Sequence, residues 1–461
     1  MAALHQEIIH ELNTDCVEFC PATEHPDWLV LGSYQLNEKT GDRHGGIDIF
    51  GLHRGLASAP PRLSLAATAR GLPGVFDARW QLINGGWLVS TALSDGTLRL
   101  YRAPLDLSDT PPAAPAAGPE APPAGGGAGA SGASDASEAA PQLLEVDRLK
   151  AATQMALCVD WAAVGDSSSS QREQVAAVGS SGGEVTLVQA AEGGLRRLNE
   201  WRAHELEVWT VAFDKHQPGP RSRRWGRRHV LYSGADDCVF QGWDCRAAAP
   251  AVAWGARTRD TGSDSDGSDG GGGGGDLSVF RNRRAHGAGV CCVAPHPARE
   301  HVVATGSYDE RIRLWDTRKP SKPLITSQVP TGGGAWRLRW HPRDPSLILA
   351  ACMYNGFAVA RASASFDSVK IVESYAGHQS IAYGADWHPT LVAACGGSGE
   401  GDGGASSAGP AGGGGAGGGE GQAAAEVAAE GGGRAAGGSG NVVATCSFYD
   451  RRLHLWTTAT Q

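Results

Sequence analysis

The sequence lacks the features that mark membrane-spanning and secreted proteins. No part of its 461 residues forms an uninterrupted apolar run of the roughly eighteen residues that indicate a membrane-spanning helix. The N-terminal stretch has neither a basic cluster nor an apolar core, and a secretory signal needs both. We therefore predict a cytoplasmic protein that makes no membrane contact.

The spacing of the cysteines argues against disulfides and metal centres. The chain has 10 Cys, but no two of them stand in a C-x-x-C arrangement, which is the usual spacing of zinc and redox motifs. Reduced cytosolic thiols of this kind mostly pack as small apolar side chains. We predict no metal site and no cofactor.

Common catalytic signatures are missing as well. The chain contains no H-E-x-x-H motif, P-loop or dinucleotide fingerprint in a suitable context. Residues 179–183 match G-x-S-x-G formally, but a nucleophile elbow requires a strand-to-helix turn. The glycines here fall where a hairpin turn joins two strands.

Glycine and proline are abundant, and they are unevenly distributed. About half of the 66 Gly lie in three low-complexity tracts at residues 104–142, 257–276 and 396–440, whereas most of the 25 Pro lie outside them. Because these tracts bury too little apolar surface to offset their ordering entropy, they are predicted to be disordered. They also carry much of the negative charge, so the net charge of -9 says little about the folded surface. We predict one domain over residues 1–461.

The remaining sequence repeats itself. Three clear copies each contain a His, a short apolar strand, a second strand bearing Ser or Thr, an Asp turn and a third strand ending in Trp. They span residues 202–246, 284–318 and 376–456. Weaker copies, which bring the total to seven, span residues 16–50, 74–101, 155–190 and 333–361.

Short strands without helical periodicity, at roughly fifty residues per repeat, are typical of four-stranded propeller blades. We predict an all-β, seven-bladed WD-repeat β-propeller with disordered low-complexity loop insertions. The inserts are placed between blades two and three, between blades four and five, and inside blade seven before Asn441. The opening run, residues 5–12, is expected to form the outer strand of the last blade and so close the ring.

In WD-repeat blades a His, a Ser or Thr, an Asp and a Trp form a hydrogen-bonded structural set. Blades four, five and seven offer complete candidates. In blade seven the turn holds one extra residue. The three sets are His204, Ser233, Asp237 and Trp243; His286, Thr305, Asp309 and Trp315; and His378, Thr445, Asp450 and Trp456.

One basic run, residues 221–228, lies in a long connection of blade four, and a shorter one, residues 281–284, follows it. Such clusters bind phosphates or acidic protein faces. Trp225 is the sole aromatic residue among these arginines, which favours a solvated loop. We expect no direct contact with nucleic acid.

Blades six and seven depart from a plain WD repeat. The segments GGGAWRLRWHP, CMYNG, AGHQSIAYGADWHP and ATCSFYDRRLHLW place aromatic and polar residues in or near loops on one side of adjacent blades. Blade cores do not require such a mixture. The residues are Trp336, Arg337, Tyr354, His378, Gln379, Ser380, Tyr449 and Asp450.

These segments resemble the diphthine methyl esterase family, the WD-repeat enzyme of diphthamide biosynthesis. The blade-five segment GSYDERIRLWDTR and the opening at residues 12–21 are similar as well. The resemblance implies hydrolysis of diphthine methyl ester on translation elongation factor 2 to diphthine, with methanol as the other product. It implies no cofactor, elongation factor 2 as the partner, and a protein that we expect to be a monomer.

Ester hydrolysis needs a nucleophile, a general base and donors for the oxyanion. We predict His378 as base or orienting residue, Ser380 or a water as nucleophile, and Arg337 or backbone N–H groups as oxyanion donors. His378 also fits the structural position of its blade. The residues expected to bind substrate are Trp336, Tyr354, Gln379, Tyr449 and Asp450.

A second function stays open. Repeats with intact Trp-Asp ends are typical of non-catalytic WD-repeat scaffolds, for example in ubiquitin ligase or trafficking complexes. The unusual loops of blades six and seven favour the enzyme, because a plain scaffold does not need them.

Overall fold

Every regular element in the described part of the chain is a β-strand. The computed structural model describes residues 2–54, 60–103, 140–164, 173–214, 216, 230–245, 277–319, 321–390 and 440–460. Their strands form seven four-stranded antiparallel sheets. The predicted all-β, seven-bladed propeller is therefore confirmed. No helix in these ranges is long and apolar enough to span a bilayer.

Blades one to four follow one another along the chain, each running from the innermost to the outermost strand. Blade one comprises β2 (Asn13–Phe19), β3 (Trp28–Leu36), β4 (Arg43–His53) and β5 (Arg62–Pro73). Blade two comprises β6 (Val75–Ile83), β7 (Gly86–Leu93), β8 (Thr97–Arg102) and β9 (Leu144–Lys150). Blade three comprises β10 (Ala156–Val164), β11 (Glu173–Ser180), β12 (Glu184–Ala191) and β13 (Gly194–Arg202). Blade four comprises β14 (Val208–Phe213), β15 (Val230–Ala235), β16 (Phe240–Asp244) and β17 (Ser278–Asn282).

The last three blades include the one that closes the ring. Blade five comprises β18 (Val290–Pro295), β19 (Val302–Ser307), β20 (Arg311–Asp316) and β21 (Leu324–Pro330). Blade six comprises β22 (Arg337–Trp340), β23 (Leu347–Ala351), β24 (Phe357–Ala362) and β25 (Val369–Tyr375). Blade seven comprises β26 (Ala382–Trp387), β27 (Val442–Ser447), β28 (Arg452–Thr457) and, as its outer strand, β1 (Ala3–Ile9).

The ring closes through the N-terminal strand, as the sequence predicts. β1 pairs antiparallel with β28 and places Glu7 opposite His454. His454 Nε2 lies 2.9 Å from a carboxylate oxygen of Glu7. Closure gives β28 a partner on its outer side and completes blade seven as a four-stranded sheet.

Burial differs between the middle and the rim of each blade. All six residues of β27 are buried, whereas β9 alternates exposed and half-buried residues along its length. Middle strands are covered by the neighbouring blades on both faces, and outer strands present one face to water. Trp28, Trp315 and Trp456 are among the largest fully buried side chains, and each such burial contributes about 2 to 3 kcal/mol.

Because all strands within a blade are antiparallel, the connections sort onto two faces. The upper face carries the connections between second and third strands and those between blades. The lower face carries the connections from first to second and from third to fourth strands. All the internal gaps between the described ranges fall at lower-face connections.

Two inserts lie inside blades rather than between them. Residues 104–142 connect β8 to β9 of blade two, and residues 257–276 lie between β16 and β17 of blade four. The prediction that these inserts separate blades was wrong, because the fourth strand of each blade follows the insert. The third insert, residues 396–440, lies inside blade seven as predicted. All three lie almost wholly outside the described residues, as does the basic run 221–228.

The predicted structural set of blade four forms a continuous hydrogen-bonded chain. His204 Nδ1 lies 3.1 Å from Asp237, and His204 Nε2 lies 2.7 Å from the hydroxyl of Ser233. Trp243 Nε1 donates to the same hydroxyl at 2.8 Å. These bonds tie β15, β16, the turn between them and the connection before β14 into one unit.

Blade five varies this arrangement with an additional arginine. His286 and Trp315 both bond the hydroxyl of Thr305, at 3.2 and 2.8 Å. Arg313 stands between His286 and the Asp309 carboxylate, at 3.1 and 2.9 Å. In blade five the guanidinium group of Arg313 thus bridges the histidine and the aspartate, whereas in blade four these two side chains bond directly.

Candidate functional site at the upper mouth of the channel

The innermost strands line a central channel, and a bulge near the upper end of most of them turns one side chain towards it. In β2 the pairing register shifts between Thr14 and Cys16, which leaves Asp15 as the bulged residue. Bulges of this kind re-aim side chains beside functional sites. The bulged residues of the other blades are Phe76, Leu157, Trp209, Cys291 and Tyr383.

These side chains surround a cavity of about 300 Å³ at the upper mouth. Trp336, which immediately precedes β22, takes the same place in blade six. Six further residues complete the lining, and they are Tyr34, Arg43, Met155, Glu207, Tyr308 and Arg337. All seven blades therefore contribute to one enclosed site.

Four half-buried rings from consecutive blades form one wall, here called the aromatic cluster: Trp209, Tyr308, Trp336 and Tyr383. Trp336 is central. Its ring centroid lies 5.4 Å from that of Trp209 and 5.8 Å from that of Tyr308. It stacks on Tyr383 at 4.9 Å. These separations are typical of favourable aromatic pairs.

Asp15 is the exceptional carboxyl group of the cavity. It is 4% exposed, and no hydrogen bond or ion pair joins its carboxyl group to another side chain in the described ranges. Burial raises its pKa to about 8, Arg337 opposes that rise and Asp77 adds to it. A carboxyl group that changes protonation near neutral pH is suited to acid–base chemistry.

Arg337 forms part of the floor of the cavity. Its Nη1 lies 3.3 Å from the carboxylate of Asp77. Burial is the largest single influence on the pKa of Arg337 and lowers it, but the nearby acidic groups, Asp77 foremost, together raise the pKa above its ordinary value. The guanidinium group therefore stays charged at every physiological pH.

Below this floor paired charges line a lower cavity of about 390 Å³ in the channel. Glu18 lies 3.0 Å from Arg79 and 3.1 Å from Arg339. Arg339 is also 3.6 Å from Asp386. This lower charge network, defined as Glu18, Asp77, Arg79, Arg339 and Asp386, lies below the Arg337 floor, and four of its members line the lower cavity.

Cys291 is the thiol that lines the upper cavity. Burial raises its pKa well above the ordinary value. The thiolate, which is the nucleophilic form, is therefore disfavoured. No group of His, Cys, Asp or Glu within the described ranges has the arrangement of a metal site.

Some of the predicted site residues line the upper cavity and the others lie outside it. Trp336 and Arg337 line the upper cavity. Tyr354 and Tyr449 stand on the upper face with 80% and 67% of their area exposed. Neither side chain lines the cavity, and both lie at its rim in the upper-face turns before β24 and β28.

His378 lies within the structural network of blade seven. Its Nε2 is 2.9 Å from the Thr445 hydroxyl and its Nδ1 is 2.5 Å from the Ser447 hydroxyl. Ser447 in turn donates to Asp450, and Trp456 donates to Thr445 at 3.1 Å. Burial also lowers the pKa of His378 strongly. This geometry favours the structural role over the predicted catalytic one.

Ser380 and Gln379 occupy the loop before β26. The Ser380 hydroxyl accepts a hydrogen bond from the backbone N–H of Tyr449 at 3.1 Å. The Gln379 backbone N–H donates to Asp450 at 3.0 Å. Neither side chain lines the upper cavity, so the structure does not bring Ser380 together with Arg337 there.

Asp15 is the residue that the sequence reasoning missed. The other blades place apolar, aromatic or cysteine side chains at the corresponding bulge. An acidic residue early in the strand segment NTDCVEF was the available signal. Acidic residues are seldom fully buried unless they are paired, so a buried acid without a nearby basic residue in the sequence is a candidate functional group.

Comparison with known proteins adds a family context. Residues 277–316 match the family model "WD domain, G-beta repeat". The match to the mouse protein named diphthine methyltransferase extends over 401 residues at 27% identity. It covers 83% of this chain and 69% of that protein. The human protein of the same name is 28% identical over 59% of this chain and 60% of its own length.

The chain is similar to proteins named diphthine methyltransferase. The name of these relatives agrees with the resemblance to a diphthine-related family that the sequence motifs indicate. The matched region spans less than two thirds of the human relative. The fold is also shared with a chain from the crystal structure of the mitotic checkpoint complex, at a TM-score of 0.54, 13% identity, and coverage of 99% of this chain and 92% of that one.

Proposed function

We propose that the chain is a carboxyl-ester hydrolase that removes the methyl group of diphthine methyl ester on translation elongation factor 2, a step of diphthamide biosynthesis. The relatives' printed name connects them with diphthine and with a methyl group. The name describes methyl transfer, and the proposal makes water the second reactant. The observation that carries the proposal is the buried Asp15 carboxyl group, which lines the upper cavity together with Arg337.

In the proposed reaction ionised Asp15 takes a proton from a water molecule, whose oxygen attacks the ester carbonyl carbon. The positive charge of Arg337 stabilises the oxyanion that forms. The bond from carbon to the methoxy oxygen then breaks, and the proton passes from Asp15 to the leaving oxygen. Methanol and the free carboxylic acid result, with no cofactor required.

A water nucleophile fits the lining better than a side-chain nucleophile does. The cavity contains no serine, and burial keeps the Cys291 thiol protonated. His378 and Ser380 stay an alternative prediction, to be tested beside Asp15. Their hydrogen bonds within blade seven speak for a supporting role.

The remaining parts of the proposal concern the setting of the reaction. The nine described cysteines are free thiols, which supports a reducing, cytoplasmic compartment. Exposed Tyr354 and Tyr449 at the rim offer contacts to the surface of the elongation factor. We propose that the protein acts as a monomer, because the cavity is complete within one chain.

The decisive experiment incubates the purified chain with elongation factor 2 that carries the methyl ester and follows its intact mass. Loss of the mass of one methylene group, with methanol in solution, is the expected result. The rate should rise with pH up to about 8, as Asp15 loses its proton. An unchanged mass, with a folded protein and a verified substrate, would refute the proposal.

A non-catalytic scaffold is the second candidate. The match to the WD domain family and the exposed rim tyrosines favour it. In that case the elongation factor would bind without any change in mass. Binding with full retention of the ester would therefore replace the enzyme proposal with this one.

A further inference from the structure

We propose that the upper face docks a protein segment that carries lysine or arginine residues on either side of the side chain that enters the cavity. The inference rests on the proposed function only in taking a protein-linked group as the ligand of the upper cavity. It concerns the surface around the cavity, and it can be tested without the reaction.

Charge distinguishes the two faces of the propeller. Within the described ranges, the upper-face connections contain eleven acidic and four basic residues, whereas the lower-face connections contain seven acidic and six basic residues. A surface with an excess of one charge attracts partners of the opposite charge. The upper face therefore favours a basic partner and disfavours nucleic acid. Its four basic residues are Lys39, Arg283, Arg284 and Arg451.

Four carboxylates close to the mouth of the cavity form what is here called the acidic rim: Glu38, Asp42, Glu207 and Glu310. Glu207 lines the cavity itself. Asp42 precedes the lining residue Arg43, and Glu310 follows the lining residue Tyr308 by two positions. Glu38, Asp42 and Glu310 are exposed, and no hydrogen bond or ion pair engages their carboxylates in the described ranges. They are thus available to pair with a partner.

The basic residues of this face are placed differently. Arg283 follows β17, the outermost strand of blade four, and lies 3.2 Å from Glu205. Arg451 donates to the backbone oxygen of Glu11 at 3.2 Å. Neither lines the cavity, whereas Arg43 and Arg337 do. The acidic rim therefore suits groups of the partner that stay outside the cavity.

Exposed apolar side chains complete the surface. Tyr354 and Tyr449 are 80% and 67% exposed, and Leu206, in the connection that also holds Glu207, is 47% exposed. Exposed apolar groups among polar ones mark protein-binding surfaces, and tyrosine is a frequent source of binding energy there.

The size of the cavity explains why a partner would use this surface. A volume of about 300 Å³ is at the lower end for small-molecule sites, so it admits a side chain and leaves the rest of a protein outside. The buried Asp15 carboxyl group, which has no side-chain partner in the described ranges, indicates that a ligand enters from this face.

The first test measures binding of the full chain to elongation factor 2 in its carboxylate form, which has no ester to hydrolyse. Fluorescence anisotropy gives Kd at 50 and 250 mM salt. Because salt screens charges on exposed surfaces, Kd should rise at least about fivefold over this range. Binding that does not depend on salt would overturn the inference.

Two glutamates of blade five provide a matched pair of variants. Glu310 follows β19 at its upper end, and Glu300 precedes the same strand at its lower end. Both are exposed. Glu310→Lys should weaken binding about fivefold, whereas Glu300→Lys should change Kd by less than about twofold. Equal effects of the two variants would contradict the proposal.

The apolar part of the surface is tested at Tyr354. Tyr354→Ser should weaken binding about tenfold, and Leu324→Ser, at an exposed position of the outer strand β21, is the control. Thermal unfolding midpoints show that each variant is folded. If Tyr354→Ser does not fold, the two glutamate variants decide the question. A folded Tyr354→Ser protein with unchanged Kd would remove the tyrosine from the surface and contradict that part of the proposal.

A pair of peptides tests the chemistry of the partner without the elongation factor. Each has a central histidine between Gly-Ser arms, with two lysines in each arm of one peptide and two glutamates in each arm of the other. The lysine peptide should bind at least about fivefold more tightly at 50 mM salt, and Glu310→Lys should reduce this preference. Equal affinities would overturn the inference, as would self-association of the chain that Glu310→Lys abolishes, since a second copy would then cover this face.

The failure of this inference can be told apart from the failure of the proposed function. Ester hydrolysis together with binding that ignores salt and Glu310→Lys would leave the enzyme and remove the basic partner segment. A preference for the lysine peptide that depends on Glu310, without ester hydrolysis, would leave the docking surface and remove the enzyme.

Discussion

The upper and lower halves of the channel are built from the same innermost strands and have opposite chemistry. In β2, Asp15 faces the upper cavity without a side-chain partner in the described ranges, while Glu18 lies near two guanidinium groups. In β22, Arg337 forms the floor of the cavity and Arg339 belongs to the lower charge network. Positions three residues apart thus separate an unpaired acid from a paired one.

The difference indicates which half is structural. Buried charges that are paired compensate one another. Removing one partner leaves the other charge uncompensated and lowers the stability of the fold. An unpaired buried carboxyl group is costly from the start, so it is retained where a ligand or a reaction uses it. The two faces of the propeller also differ, because the three low-complexity inserts all attach at the lower face.

The sharpest way to break the comparison is to remove the unpaired acid. Asp15→Asn and Arg337→Met should each lower kcat/KM for ester hydrolysis by roughly 10² to 10³, because base or oxyanion stabilisation is lost. The measurement is initial rate against substrate concentration. Asp316→Asn, whose side chain bonds Arg318 at the outside of the protein, serves as the matched control.

If Asp15→Asn hydrolyses the ester at the full rate, His378 and Ser380 become the candidate catalytic residues. In that case His378→Ala and Ser380→Ala would be expected to abolish the reaction. If Asp15→Asn is inactive and these two variants are active, the upper cavity is the catalytic site.

Removing a charge from the lower charge network should affect stability more than activity. Arg79→Met leaves Glu18 and Asp77 with one partner fewer, which costs about 3 to 5 kcal/mol of unfolding free energy. Urea unfolding measures this loss. An unchanged midpoint would show that the lower half is not held together by these pairs.

The pH dependence of stability provides an independent test of Asp15. Its pKa in the folded protein is raised to about 8 by burial, so the folded state retains a proton that the unfolded state releases above pH about 4. Stability from this group is complete at low pH and is lost as the pH rises towards 8.

Asp15→Asn removes that loss. Relative to the unaltered protein, the variant should gain on the order of a few kcal/mol between pH 4 and 8. Thermal unfolding at a series of pH values measures the difference. Parallel curves for the two proteins would mean that Asp15 titrates normally.

The smallest effect is expected at the lower face. Replacing residues 106–138 by a short Gly-Ser linker should change kcat/KM by less than about twofold and raise stability slightly, because a shorter loop loses less entropy on closure. A large fall in activity would assign the substrate to the lower face instead. The control is the same replacement made in the Asp15→Asn protein.

Much of the fold was predictable because it repeats. The His, Ser or Thr, Asp and Trp of blade four recur at fixed order, and the unpaired opening strand predicted closure. The inserts of blades two and four were misplaced because their outer strands, β9 and β17, carry none of these signature residues.

The candidate site was less predictable, for geometric reasons. Trp336 and Arg337 stood out by residue type, and both line the cavity. Asp15 did not, because the bulge that turns it into the channel depends on pairing with β3. His378 fits either role by sequence, and only its hydrogen bonds to Thr445 and Ser447 show what its ring nitrogens contact.

Closure of the ring by β1 also has a consequence for biosynthesis. His5 on β1 contacts Thr457 at the end of β28, 452 residues later. Once synthesised, β1 therefore waits for almost the whole of this chain before its partner strand β28 is made. During translation its backbone groups are an open edge, so nascent chains of this protein should depend on chaperones that shield such edges until the last blade is complete.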